Sequence, residues 1–125
     1  VSDQRQLRVG VDLVDVARME RVLARRPGLA DRVFTVGERA TSARSTARLA
    51  ARFAAKEATM KALGVGLGAF ALRDVEVVNE PGGRPLLELH GRARDRASEL
   101  GIDAVEVSLS HTASLATAVV VAAGP

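Results

Sequence analysis

Apolar positions recur with two periods along the chain, and the changes of period mark out its elements. Leu7, Val9, Val11 and Leu13 alternate with Arg8, Gly10 and Asp12, which predicts a strand over residues 7–14 with the acid opposite the aliphatic stripe. A helix over 16–25 follows, with Met19, Val22 and Leu23 on its buried face, Asp15 as N-cap and Arg26-Pro27-Gly28 as its stop. Residues 29–34 read as a short apolar turn or helix, and Thr35-Val36-Gly37-Glu38 has the capping-box pattern of another helix start. A long helix runs over 46–63 to Gly64. Strands over 71–78 and 85–90 flank the turn Asn79-Glu80-Pro81-Gly82-Gly83, and a basic helix over 92–100 ends at Gly101. Residues 104–110 alternate strictly, 111–114 turn, and 115–123 form a very apolar return strand. This is one α+β domain over 1–125, a mainly antiparallel sheet packed against one long central helix plus shorter helices, with residues 1–6 expected to be loose.

The long helix carries the chemistry. With Leu49 at zero on a helical wheel, Met60, Phe53 and Leu63 fall within roughly 40° of it, and Lys56 falls inside the same stripe at roughly −20°. Glu57 lies on the edge, at roughly +80°. A cation and a carboxylate at a core-facing position need each other, a counter-ion, a metal or a phosphate. Arg44, Arg48, Arg52 and Lys56 are spaced by four, which is repulsive unless an anion lies along the ridge or solvent screens it. Asp12 is also out of place in a strand of valines, where it either orders the turn ahead or serves a site.

Composition narrows the chemistry. The chain has 125 residues, no Cys and two His, so thiolate chemistry, disulfides and a His-rich zinc site are excluded, and any metal is held mainly by oxygen. Aromatic content of 2% argues against stacking on single-stranded nucleic acid. A net charge of +3 suits phosphates or an acidic partner. No run of transmembrane length and no signal peptide occur, so a cytoplasmic location without membrane contact is expected. The chain opens on Val1, as expected of a processed or trimmed protein or a piece of a larger polypeptide.

Three separated pieces resemble one family. Gly10-Val11-Asp12 through Arg18 is similar to the N-terminal Gly-x-Asp motif of the holo-acyl-carrier-protein synthases, which are small trimeric 4′-phosphopantetheinyl transferases. Arg52-Phe53-Ala54-Ala55-Lys56-Glu57-Ala58 with Lys61-Ala62-Leu63-Gly64 resembles their signature helix, and Val107-Ser108-Leu109-Ser110-His111 their C-terminal strand and His. Phe34-Thr35 with Glu38 is similar to a weaker family segment. Asp15 stands where the family usually has Glu, Val65 where Thr is common, and Met60 where some relatives carry Ser.

The resemblance implies transfer of the phosphopantetheine arm of coenzyme A to a serine of an acyl carrier protein. Adenosine 3′,5′-bisphosphate is released, and the product serves fatty-acid or polyketide synthesis. It implies Mg²⁺ on Asp12 and Glu57, with Glu57, Asp12 and Lys61 catalytic. Arg52, Lys56 and Lys61 would face phosphates, and Gly64 and Gly66 would shape the nucleotide pocket. Pro85, His111 and Thr112 would approach from a neighbouring subunit of a homotrimer, and Arg18 would contact the carrier. The competing expectations are a non-catalytic module of the same fold that binds coenzyme A or a nucleotide, and a nucleic-acid-binding domain, against which the scarcity of aromatics counts.

Overall fold

The computed structural model describes residues 4–43 and 45–125. Strand β1 (Gln6–Asp15) leads directly into helix α1 (Val16–Arg25), whose N-cap Asp15 accepts a hydrogen bond from Arg18 N at 2.8 Å. Two short helices follow, α2 (Leu29–Val33) and α3 (Val36–Thr41), the second opened by the expected capping box of Thr35 and Glu38. Helix α4 (Thr46–Ala62) packs against β1 and the last strand of the chain. A 3-10 turn (Leu72–Asp74) then introduces the hairpin β2 (Val75–Asn79) and β3 (Pro85–Leu89). Helix α5 (Gly91–Glu99) leads to the hairpin β4 (Ala104–His111) and β5 (Leu115–Gly124).

The strands form two antiparallel sheets, one of order β1-β5-β4 and the two-stranded β2-β3. Chain-terminal β5 is central because it is the most apolar strand, and its inner residues Ala116, Ala118, Val120 and Ala122 are buried against α4. Facing them are Ala54, Ala55, Ala58 and Ala62 of α4. Small residues on both sides let the helix axis approach the sheet closely. Gly10 of β1 takes this furthest: a Cβ there would lie 1.8 Å from the Ala58 carbonyl oxygen. This contact puts Asp12, two residues on and on the same face, beside the helix.

The outer face of the three-stranded sheet is bare. Leu7, Val9, Val11 and Leu13 are 55–74% exposed, and Val119 and Val121, opposite Val11 and Val9 in the register, continue the patch. The alternation of β1 therefore marks two faces correctly, but the aliphatic one points away from the core of this chain.

Three expectations change. The strand expected over 71–78 starts only at Val75, because Asp74 N bonds back to Ala71 O and the Lys56 ammonium draws in the carbonyls of Leu72 and Val75. The Leu72-to-Val75 step of three already departs from a strand period. Residues 1–3 lie outside the described residues, and Gln6 is no part of a loose arm: it pairs with Gly124 and donates its side-chain amide to Leu100 O. Finally, α4 is buried on nearly every side, with only Arg48 and Lys61 exposed, so it behaves as a core helix and less as a one-sided amphipathic one.

Candidate functional site

Strand β1 and helix α4 bring Asp12, Glu57 and Lys61 together. The Lys61 ammonium donates to Val11 O at 2.9 Å and lies 3.3 Å from Asp12 Oδ1. The Glu57 carboxyl is pushed above the ordinary glutamate value, first by burial and then by the negative charge of Asp12, with Lys61 pulling the other way. Two carboxylates thus share one lysine, whose side chain is 56% exposed. The site is short of positive charge, and its donors are hard oxygens. Asp12 and Glu57 are of the chemistry that could hold a divalent cation of the Mg²⁺ kind.

Both acids line a cavity of about 720 Å³. Residues of α1 and of the segment after it line it too, as do Phe34, Phe53, Leu67 and Leu72. Arg18 and Arg26 are also among its lining residues, so acids and arginines share one cavity. Asp15 is also in the wall, with its Oδ1 engaged in capping α1.

A second cavity of about 530 Å³ lies along another face of α4 and shares no wall residue with the first. It gathers Arg48, Arg52, Asn79, Pro85 and His111. Arg52 is 6% exposed; it donates to Asn79 Oδ1 at 2.9 Å and to Arg48 O at 3.3 Å, while its Nε is buried without a partner. Burial pushes the guanidinium down from its usual value; Glu38 opposes this, and Arg48 adds to it. The guanidinium thus keeps an N–H that no protein acceptor takes, and an anion could bond to it.

The residues of the basic ridge therefore separate. Arg48 and Arg52 converge on the second cavity, and Arg44 lies outside the described residues. Lys56 is corrected: it does not face phosphates. It is fully buried, 2.7 Å from Glu38 Oε1, and also donates to Leu72 O and Val75 O, which uses all three of its protons. Of the partners that the helical wheel allowed, the structure selects a counter-ion, and it comes from the capping box. Thr112 lines neither cavity of the single chain; it is exposed, and its hydroxyl oxygen accepts from Ser114 N and Leu115 N in the β4–β5 turn. Gly64 adopts φ +69° as the residue that ends α4, and neither it nor Gly66 lines a cavity; their loop instead presents Leu67 to the first one.

Sequence reasoning missed Glu38 as a buried partner, and Asn79, which holds Arg52 while donating to Gly83 O. It also missed a surface cluster on the second sheet, where Glu76 bonds to Thr35 Oγ1 at 2.7 Å and to His90 Nε2 at 3.1 Å, with Glu88 across the hairpin. Counting outward from a turn over 79–83 would pair Glu76 with Leu86; the observed register, Asn79 opposite Pro85, sets Glu76 opposite Glu88 instead. The long-range Glu38 contact had no signal beyond the polar residue in an apolar stripe.

Comparison with known proteins now bears on this arrangement. The family model described as the 4′-phosphopantetheinyl transferase superfamily matches residues 8–120. A holo-acyl-carrier-protein synthase of Moorella thermoacetica is 50% identical over 116 residues, covering 90% of this chain and 91% of that protein. One of Clavibacter michiganensis is 48% identical over 116 residues, covering 93% and 94%. The crystal structure of the Helicobacter pylori holo-acyl-carrier-protein synthase in complex with coenzyme A superposes with a TM-score of 0.82 at 31% identity, covering 91% of this chain and 98% of that one.

Proposed function

The chain belongs to the 4′-phosphopantetheinyl transferase superfamily and is an enzyme of its holo-acyl-carrier-protein synthase kind, and from that premise we propose the reaction that its two cavities carry out. It transfers the 4′-phosphopantetheine arm of coenzyme A to a serine hydroxyl of an acyl carrier protein and releases adenosine 3′,5′-bisphosphate. The serine oxygen attacks the β-phosphorus of coenzyme A, and the bond from that phosphorus to the bridging oxygen breaks. The observation that carries this reading is the pair Asp12 and Glu57, which line one cavity together with Arg18 and Arg26. Asp12 and Glu57 would hold Mg²⁺. When bound, Mg²⁺ neutralises pyrophosphate charge, the main requirement of phosphoryl transfer.

The chain's own residues do the rest. The half-exposed Lys61 ammonium stands beside Asp12 and stabilises charge on the leaving bisphosphate. Glu57, or a water that it holds, takes the serine proton. Arg52, with its unpartnered Nε, and His111 receive phosphate groups of coenzyme A in the second cavity, beside Pro85. Arg18 and Arg26 meet an acidic surface of the carrier protein.

Within one chain the acids and the Arg52–His111 cavity are separate. The exposed aliphatic face of β1 and β5 requires a cover. Both observations support a homotrimer in which His111, Pro85 and Arg52 of one subunit complete the acid site of its neighbour. The holo carrier protein made here then serves fatty-acid or polyketide synthesis, and the cytoplasm is the compartment of such a reaction.

The test is chromatographic detection of adenosine 3′,5′-bisphosphate on incubation with coenzyme A, Mg²⁺ and apo carrier protein. Release that requires the carrier serine supports transfer. Coenzyme A binding without release, with several carriers, favours the non-catalytic binding module.

A further inference from the structure

Glu38 and Lys56 form an ion pair in which both side chains are fully buried, 2.7 Å apart. Such a pair is weak evidence of stability, since desolvation offsets most of its attraction and two apolar residues of similar size would fill the space as well. Its distinguishing property is direction. The three protons of Lys56 go to three different segments: the Glu38 carboxylate on α3, the Leu72 carbonyl in the 3-10 turn and the Val75 carbonyl at the start of β2. Glu38 in turn accepts from Thr35 N at 3.0 Å through Oε1 and from Val77 N at 2.9 Å through Oε2. Charge-assisted bonds on several sides add a directional constraint to the apolar packing of the helix.

What this set of bonds fixes is next to the reacting groups. Glu57 follows Lys56 on α4, about 100° round the helix. Phe34, whose ring centroid is 5.7 Å from the Lys56 nitrogen, and Leu72, whose carbonyl Lys56 holds, both line the cavity of Asp12 and Glu57. With side-chain ends roughly 6 Å from a helix axis, a 20° turn of α4 would carry the Glu57 carboxylate about 2 Å. Ligand sites work only when held within about 0.5 Å and 10–20°.

We infer that Glu38 is a positioning residue for Glu57: it pins Lys56 and thereby sets the rotation of α4 at which Glu57 faces Asp12. This rests on the reading that Asp12 and Glu57 hold the divalent cation, and the test separates the two.

Mn²⁺ affinity is measured by electron paramagnetic resonance with coenzyme A present, alongside thermal unfolding, for the parent, E38Q, E38Q/K56M and E57Q. E38Q leaves a buried ammonium without its carboxylate and is expected to melt lower. E38Q/K56M removes the charge and is expected to recover most of that loss. Mn²⁺ affinity is expected to fall about 10-fold or more in both, as for groups that orient metal ligands, because neither restores the bonds that orient α4. Recovery of Mn²⁺ affinity together with stability in E38Q/K56M would reduce the pair to a structural one and overturn the inference. Unchanged Mn²⁺ affinity in E57Q would instead overturn the cation reading and the inference with it.

Discussion

Gly10→Ala tests how the strand sets the site. The added Cβ would stand 1.8 Å from Ala58 O and 2.9 Å from Ala62 N, where ordinary contact begins at 3.4 Å. Both obstacles are helix backbone, so no side chain can swing aside, and β1 must retreat from α4 by about 1.6 Å. Overpacking of this kind costs about 1–3 kcal/mol, and backbone-on-backbone contact puts this case near the top of that range. For a chain of this length each kcal/mol moves the melting temperature by about 3–5 °C, which gives a fall of about 10–15 °C. Asp12 moves with the strand, beyond the tolerance of a metal site, so half-saturation by Mg²⁺ should rise about 10-fold or more. Gly82→Ala, in a turn with open space around it, is the control and should stay within about 0.5 kcal/mol of the parent. Thermal melts and Mg²⁺ titrations of transfer activity read both quantities. A G10A protein that melts within 2 °C of the parent and keeps its Mg²⁺ response would refute the claim that backbone contact between β1 and α4 places Asp12.

Three further outcomes follow from the same geometry. The raised value of Glu57 means that its protonated form favours folding, a contribution complete below the unfolded-state value and lost as pH rises through the folded one. E57Q should therefore melt higher than the parent in EDTA at neutral pH, with the gap closing near pH 4; a lower-melting E57Q at neutral pH contradicts this. Glu76 behaves oppositely. Its hydrogen bond from Thr35 and then its contact with His90 hold it below the ordinary glutamate value against a burial effect, so its contribution is present above that value and lost as pH falls through the folded one. E76Q should flatten the acid limb of a plot of melting temperature against pH, and an unchanged limb would show that Glu76 is not a source of it. Val11→Lys points outward from β1 at a position 55% exposed in the single chain; by sedimentation it should shift the proposed trimer toward monomer while leaving the helical circular dichroism intact, and an assembly of unchanged size would contradict an interface on this face.

Much of this was readable from local rules, and the exceptions share a cause. The Asp15 cap, the Thr35–Glu38 box and the stop at Gly64 depend on residues within four positions of one another, and all three form as read. Asp12 and Glu57 stood out because each sits badly in its own element, and the close β1–α4 packing that unites them follows from Gly10 and the alanines. Lys56 stood out for the same reason, but its partner is eighteen residues away on another helix. The wheel showed that it needed an anion and could not say which; the buried carboxylate of Glu38 supplied it where a phosphate was expected. The hydroxyl of Thr112 also has a local use that its place in a motif did not show, since Ser114 and Leu115 present N–H groups that the turn has to satisfy. The outward aliphatic stripe of β1 has the same pattern as a core stripe, because alternation states only that two faces differ. What covers each face is decided by the rest of the assembly.

The central claim is that this chain loads a carrier protein through Asp12 and Glu57. The most direct measurement is the intact mass of apo acyl carrier protein after incubation with the protein, coenzyme A and Mg²⁺, set beside parallel reactions with EDTA and with E57Q. The account predicts a gain of one phosphopantetheine mass that disappears in both controls. A full gain with E57Q would contradict the assigned role of the acid pair, and no gain in the complete reaction with any carrier would contradict the transfer itself.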